Sequence, residues 1–225
     1  MNMVHQTDKD PRILVAELAL KKLKNNIFSK SKFKIRLSRN QTNEILSSID
    51  SQIMVLKFSY MELANLAKSD ITSGIIEDVK KLYLTYRERM EKDMSELARA
   101  NLLWAFRIFS GLPRRFKIPG DKPSNGIDLV VVQIRNIAKV GKLYRTRCTA
   151  GPADMTIMTN IEGLKAGDTL AAAFLPPAVV GGVVSEAMFL GAERLDEEPG
   201  AFLDHGGLDT KEADGILVGE FGKRK

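Results

Sequence analysis

The chain has 225 residues, 44% hydrophobic and 28% charged, and a net charge of +6. That length and composition exclude a disordered polymer and allow two modest domains with real cores. Cys148 is the only cysteine, which excludes an internal disulfide, and with no arginine-led apolar leader at Met1 a reducing, cytoplasmic setting is expected.

Charge is unevenly spread. Residues 1–120 hold 22 Lys and Arg against 13 Asp and Glu, whereas 121–225 hold 12 against 15. The basic half is also the half with helical spacing. From Asp10 to Ser110 the only Gly or Pro residues are Pro11 and Gly74, and apolar residues recur at three and four positions. Asp10 is read as the N-cap of a first helix, with Pro11 at its first position and an end near Asn26. A second helix is expected from near Gln41 to Leu66. A third, long one is expected from a cap at Ser73 to Gly111, where Pro113 prevents continuation. Residues 1–111 thus read as a basic three-helix hairpin or bundle. The long stripe of the third helix, through Met90 and Met94, fits either an intramolecular core or a contact with a second copy or a synthetase.

Between the first two helices lies "SKSKFKIRLSR", Ser29 to Arg39. Here Lys30, Lys32, Lys34 and Arg36 alternate with Phe33, Ile35 and Leu37. The run reads either as a solvated connector or as an arm that follows phosphates. Residues 112–125 are rich in Pro and Gly and read as an exposed linker whose Arg114, Arg115 and Lys117 are available to a nucleic-acid backbone.

Beyond the linker, residues 126–225, the period changes toward two. Strands are expected at Ile127–Ile137, Leu143–Ala150, Met155–Ile161 and Thr169–Leu175. In the second of these, Lys142, Tyr144, Thr146 and Cys148 fall on one face and Leu143, Arg145 and Arg147 on the other. Tyr144 with its neighbouring cations matches the combination used on single-stranded RNA, and equally an amphipathic edge strand. Arg135 and Lys139 are nominated by charge alone. In "LPPAVVGGVVSEAM", Leu175 to Met188, Pro176 and Pro177 are expected to end a strand and Gly181 and Gly182 to turn the chain before "VVSEAMFLGA" resumes one. The carboxylates from Glu193 to Asp214 read as solvated loops. About five strands in some 100 residues fit a small barrel, the oligonucleotide-binding (OB) fold among the candidates. The fold class is therefore α+β, a helical bundle followed by a barrel.

Leu175 to Met188 also resembles the signature of the tRNA-binding domain of bacterial methionyl-tRNA synthetases, the stand-alone structure-specific tRNA-binding protein and the endothelial monocyte-activating polypeptide. That signature reads Leu-x-Pro-Ala-x-x-Arg-Gly-Val-x-Ser-x-Gly-Met. Leu175, Pro177, Ala178, Gly182, Val183, Ser185 and Met188 match it. "IDLVVVQI" from Ile127, "GKLYRTR" from Gly141 and "TIMTNI" from Thr156 agree with further family stretches in order. The resemblance covers about residues 125 to 192. It departs from the family at Gly181, which replaces an arginine, at Ala187, which replaces a glycine, and at "IAKV", which replaces His-Pro-Asn-Ala. The resemblance implies an OB barrel. It nominates Lys142 for phosphate, Tyr144 for packing or stacking, and Ser185 and Met188 for a nucleotide, with Asn160 as a further polar candidate; core and turn roles stay open for Ser185 and Met188.

His5 and His205 are the only histidines, no cysteine pair exists and no phosphate-cradling glycine loop is present. No metal, cofactor or catalytic constellation is expected. The sequence leads to a non-catalytic auxiliary tRNA-binding protein that tethers tRNA to an aminoacyl-tRNA synthetase, with a homodimer as one option and no membrane partner. The alternative is a protein-interaction or chaperone module, since a stand-alone relative of this fold is a dimeric export chaperone; an apolar groove near Phe174 and Phe189 would then receive peptides.

Overall fold

In a computed structural model the chain forms two compact units, residues 1–126 and 127–225, and residues 6–29 and 37–223 are described. The first unit is helical and the second is built on an antiparallel sheet. Lys30, Lys32, Lys34 and Arg36 lie outside the described residues.

Helix α1, Pro11–Asn26, begins at the expected punctuation: Asp10 accepts from Arg12 N at 2.8 Å. Ile13, Val15, Ala16, Leu18, Ala19, Leu20 and Leu23 are all buried, so the helix is apolar on most sides and serves as the centre of its unit. Helix α2 spans Arg39–Lys57 and opens on a capping box in which Ser38 and Gln41 satisfy each other's backbone N–H. It stops at Lys57, not at Leu66. Thr7 Oγ1 donates to Lys57 O and accepts from Tyr60 N, and Tyr60 takes a left-handed φ of 52°. Leu63–Leu66 is a separate turn, α3.

The single long helix expected from Ser73 to Gly111 is instead two. Helix α4, Asp70–Lys92, is capped by Ser69, and α5, Glu96–Ser110, is capped by Ser95, whose hydroxyl accepts from Ala98 N. The apolar spacing runs on through Met90, Met94 and Leu97, but Asp93 leaves helical geometry with φ −147°. A bundle of four long helices results, with α1 against α2 and α5, and α4 against α2 and α5.

Residues 112–125 are exposed only in part: Lys117 and residues 119–122 face solvent, whereas both ends of the stretch are built into the first unit. Leu112–Arg115 is a further helical turn, α6. Leu112, Arg115, Phe116, Ser124 and Asn125 are buried in the first unit. The stretch is held by Arg12, whose side chain is fully buried. Its Nη1 pairs with Asp10 at 2.9 Å, Nε donates to Arg115 O at 2.9 Å, and Nη2 donates to Ile118 O and to Gly120 O at 2.7 Å. Burial pulls the Arg12 pKa down, and the charge of Asp10 opposes that. At Gly126 an added Cβ would stand 2.6 Å from Pro11 O and from Val15 Cγ2, so only glycine lets the chain pass α1 this closely.

The second unit contains strands β1 (Leu129–Val140), β2 (Leu143–Ala150), β3 (Ala153–Thr159), β4 (Thr169–Ala173) and β7 (Met188–Arg194), ordered β3-β2-β1-β4-β7, with every pairing antiparallel. The chain reverses from β1 to β2 at Gly141 and Lys142. "VVSEAMFLGA" is two strands, not one. Ala178–Val180 (β5) pairs with Val183–Ser185 (β6) through a two-residue turn at Gly181 and Gly182, with φ +59° and +81°. Two consecutive left-handed residues are the geometry of a tight hairpin turn, which glycine adopts without penalty. Glu186 and Ala187 then separate β6 from β7. The sheet as paired is open, but Glu186 N donates to Thr156 O at 2.9 Å and Glu186 Oε2 accepts from Thr156 N, which brings the chain after β6 to β3.

The core of this unit comprises Val130, Val132, Ile134, Cys148, Met155, Ile157, Leu170, Phe174 and Phe189. The carboxylate-rich C-terminus is not all loop. Lys211–Gly222 is a helix, α7, which buries Ala213 and Leu217. Among the described residues no helix is long and apolar enough to cross a membrane.

Asp10→Ala leaves the Arg12 charge buried without its paired carboxylate, and a loss of about 3–5 kcal/mol is expected in urea unfolding followed by helical dichroism. Burial pushes the Cys148 thiol up to about 11. A disulfide reagent at pH 8 is therefore expected to leave it unmodified in the native protein and to label it fully in denaturant.

Candidate nucleic-acid interface

Residues 129–153 contain five Lys or Arg and no Asp or Glu, and the β1–β2 hairpin sets their geometry. Lys139 stands opposite Tyr144, Ala138 opposite Arg145 and Asn136 opposite Arg147. Cross-strand partners share a face, so Lys139 and Tyr144 are neighbours on one side while Arg145 and Arg147 lie on the other. Thr146 and Cys148, which follow Tyr144 on its face, are buried in the core. Tyr144 itself is half-buried at the point where that face emerges into solvent. Arg135 sits at a register shift between Ile134 and Asn136 and is exposed. Lys142 is exposed in the turn itself. Arg147 and Lys139 are also exposed, and Arg145 is half-buried.

The signature residues converge elsewhere in the same unit. A groove of about 600 Å³ is lined by Leu143, Met158, Leu175, Met188, Phe189 and Ile216 among others, with Thr159, Asn160, Ser185, Asp209, Lys211 and Glu212 as its polar members. That volume is in the range of ligand clefts. Met188 is half-buried on the wall and Asn160 is exposed. Ser185 is buried, and its Oγ accepts from Met158 N at 3.0 Å and donates to Ala187 O at 3.0 Å. The hydroxyl thereby ties β6 to β3. Lys142 and Tyr144 are not among the groove's lining residues, although Leu143 between them is. Phe174, expected beside a peptide groove, is only 3% exposed and belongs to the core.

The departure at Gly181 has a local cause. Its φ of +59° disfavours any residue with a Cβ, and a Cβ there would also touch Leu143 Cδ1 and Met158 Cε at 3.7 Å. The left-handed turn, not a lack of space, is what calls for glycine here.

The two linker arginines part company. Arg115 is buried and donates to Ile108 O, so it does not reach a phosphate; Arg114 is half-buried. The α7 wall of the groove was not expected. Its signal, Ala213 and Leu217 four residues apart, is diluted by Gly215, Gly219 and Gly222. Asp168 is held below the usual carboxylate range by its hydrogen bond from Arg194, at 2.7 Å. Among the described residues no cluster of metal-ligating side chains is present.

A family model described as "Alpha helical domain" matches residues 3–118, and the chain belongs to that family. The crystal structure of the MetRS related protein from Pyrococcus horikoshii is 23% identical, with 34% of this chain and 89% of that chain covered and a TM-score of 0.32. No curated protein matches the chain.

Ser185→Ala leaves Met158 N without its buried acceptor, and a destabilisation of about 1–3 kcal/mol is expected. Thermal melts of the full chain check this; a Tm unchanged from wild type would mean that the hydroxyl is dispensable to the β3–β6 junction.

Proposed function

We propose that this chain is a non-catalytic auxiliary tRNA-binding protein. Its second unit acts as an OB-type barrel on tRNA, and its helical unit attaches that barrel to an aminoacyl-tRNA synthetase or adds contacts to the RNA backbone. The observation that carries the reading is the β1–β2 hairpin, with five cations, no carboxylate and a half-buried tyrosine opposite a lysine. Such a ribbon neutralises phosphates and offers an aromatic face to an unpaired base. The signature around Ser185 and Met188 supports the same assignment, and the bonds between Glu186 and Thr156 support partial closure of the sheet.

The second unit is acidic at its C-terminal end, with ten Asp and Glu against five Lys and Arg from Glu186 to Lys225. Screening over roughly 8 Å at physiological salt confines that repulsion, so the hairpin acts locally. The basic excess of the helical unit adds attraction at its own surface, within the same screening distance. Tethering raises the effective concentration of tRNA at the partner without any chemical step. A homodimer would double the number of hairpins presented.

Asp209 and Glu212 on the groove favour a second reading, an interaction module that takes a basic peptide without specific RNA binding. Titration with folded tRNA and with an unstructured RNA of equal length, across a salt series, separates the two. Preference for tRNA with a steep slope is expected; equal weak binding that vanishes at physiological salt would select the peptide module. Within that series Lys142→Ala is expected to weaken all RNAs alike and to flatten the log–log salt slope by roughly one. Tyr144→Ala is expected to cost about 1–3 kcal/mol of affinity with the slope unchanged.

A further inference from the structure

The end of α2 and the residues that follow it carry an apolar patch on the helical unit. Met54, Val55, Phe58 and Tyr60 are 45%, 53%, 52% and 50% exposed. Met54 and Phe58 stand one turn apart with Val55 beside them, so three of the four share the solvent face of the helix. Aromatic residues and Met are enriched at the centres of protein interfaces, and a run of large apolar side chains in water differs from the single ones that any surface carries. Tyr60 is also held there against its own preference. A bulky residue at φ 52° is strained. The conformation is kept by the buried Thr7, whose Oγ1 accepts from Tyr60 N at 3.1 Å, and by Ser59, whose Oγ donates to Leu56 O at 2.8 Å. That strain secures little core packing, since half of the Tyr60 side chain stays in water.

Charge selects the occupant. Residues 40–79 hold six Asp or Glu against two Lys or Arg, although the rest of residues 1–120 hold seven against twenty. The basic excess of the helical unit therefore lies outside the segment that carries the patch. Glu44, Glu62, Asp70 and Glu77 are exposed, and the charge of Lys57, beside the patch, is met by Glu17 at 2.7 Å. A polyanion is disfavoured here. So is the same face of a second copy, because a two-fold dimer sets carboxylates against carboxylates. An arginine is favoured, and the rings accept cations as well: Lys57 Nζ stands 6.0 Å from the centroid of the Phe58 ring.

We propose that Met54, Val55, Phe58 and Tyr60 dock an amphipathic helix of a partner protein whose apolar stripe is flanked by arginines. The inference deepens the tethering role proposed above, and rests on it for the identity of the partner as a protein that handles RNA. It makes this face of the helical unit a protein contact and leaves RNA to the cations elsewhere. The exposed end of α2 is a helix surface, against which a second helix packs by its own ridges. The rings and Met54 supply the hold, and the carboxylates around them set partner choice and orientation.

The full chain is titrated with a labelled helical peptide of about 20 residues, leucine at i, i+3, i+4 and i+7 and arginine on the flanks, and with its glutamate counterpart. Wild type is expected to bind the arginine peptide and not the glutamate one. Phe58→Ser and Tyr60→Asn are each expected to weaken that binding about tenfold. Tyr60→Asn, which suits a left-handed backbone, is expected to do so with the Tm kept at the wild-type value. Glu62→Lys, at a position whose side chain makes no cap bond, is expected to weaken it too. Glu197→Lys, the same change of net charge in the second unit, is expected to leave it unaltered. Failure of wild type to bind the arginine peptide, or equal binding by wild type, Phe58→Ser and Tyr60→Asn, overturns the site. A fall in tRNA affinity in Phe58→Ser overturns it in favour of a surface that stacks bases, and self-association of wild type in sedimentation that Phe58→Ser abolishes gives the patch to a second copy. The peptide arm reads the patch whether or not the chain prefers tRNA.

Discussion

The buried Arg12–Asp10 pair is the constraint on which the helical unit depends. Asp10 caps α1 and neutralises Arg12, and Arg12 spends its remaining donors on the carbonyls of Arg115, Ile118 and Gly120. One side chain therefore joins the start of the first long helix to the stretch after the last. An ion pair of this kind is worth little as a source of net stability, because desolvation offsets attraction. Its contribution is to position: the observed path of residues 112–120 brings the carbonyls of Arg115, Ile118 and Gly120 to the guanidinium. Gly126 extends the same logic, because a backbone that must pass within touching distance of Pro11 and Val15 has a single route.

The second unit uses hydrogen bonds for the comparable purpose. Two of its strands, β5 and β6, have three residues each, too few to define a register by side-chain packing alone. Ser185 and Glu186 compensate by bonding to the backbone of Met158 and Thr156. The groove adjoins that junction: Ala178, Val180 and Ser185 line it, together with Lys211, Glu212 and Ile216 of α7. A residue nominated for contact with a nucleotide thus has a structural duty in the same position.

Much of the architecture was legible where local chemistry speaks without ambiguity. Asp10 followed by Pro11 fixes the start of α1, and alternation gives β2 its boundaries. The breaks were harder. Nothing in the apolar spacing through Met90, Met94 and Leu97 reveals that Ser95 starts a new helix, since a cap competes with a pattern that continues across it. The helix after Lys57 failed for a tertiary reason, a hydroxyl from Thr7, fifty positions away, holding Lys57 O. Residues 112–125 misled by composition: prolines, glycines and arginines normally mark solvent, but Arg12 and Arg115 are used here as buried hydrogen-bond donors to carbonyls. In the candidate interface, the cations of the β1–β2 hairpin and the signature residues were readable. The α7 wall was not, because three glycines blur its apolar stripe.

The register of the sheet also sets the distance between opposite charges in the second unit. Leu195 N bonds to Thr169 O, and Thr169 pairs with Gln133, so the acidic run that follows β7 begins level with Gln133. The cationic turn lies beyond Val140, about 20 Å farther along the same strand at ordinary strand rise. The unit therefore carries a permanent moment along β1, like a compass needle. On the proposed RNA-binding reading, a polyanion that comes within roughly a Debye length of one end meets a field of one sign, attractive at the hairpin and repulsive at the acidic run, so the two ends would sort its approach at close range.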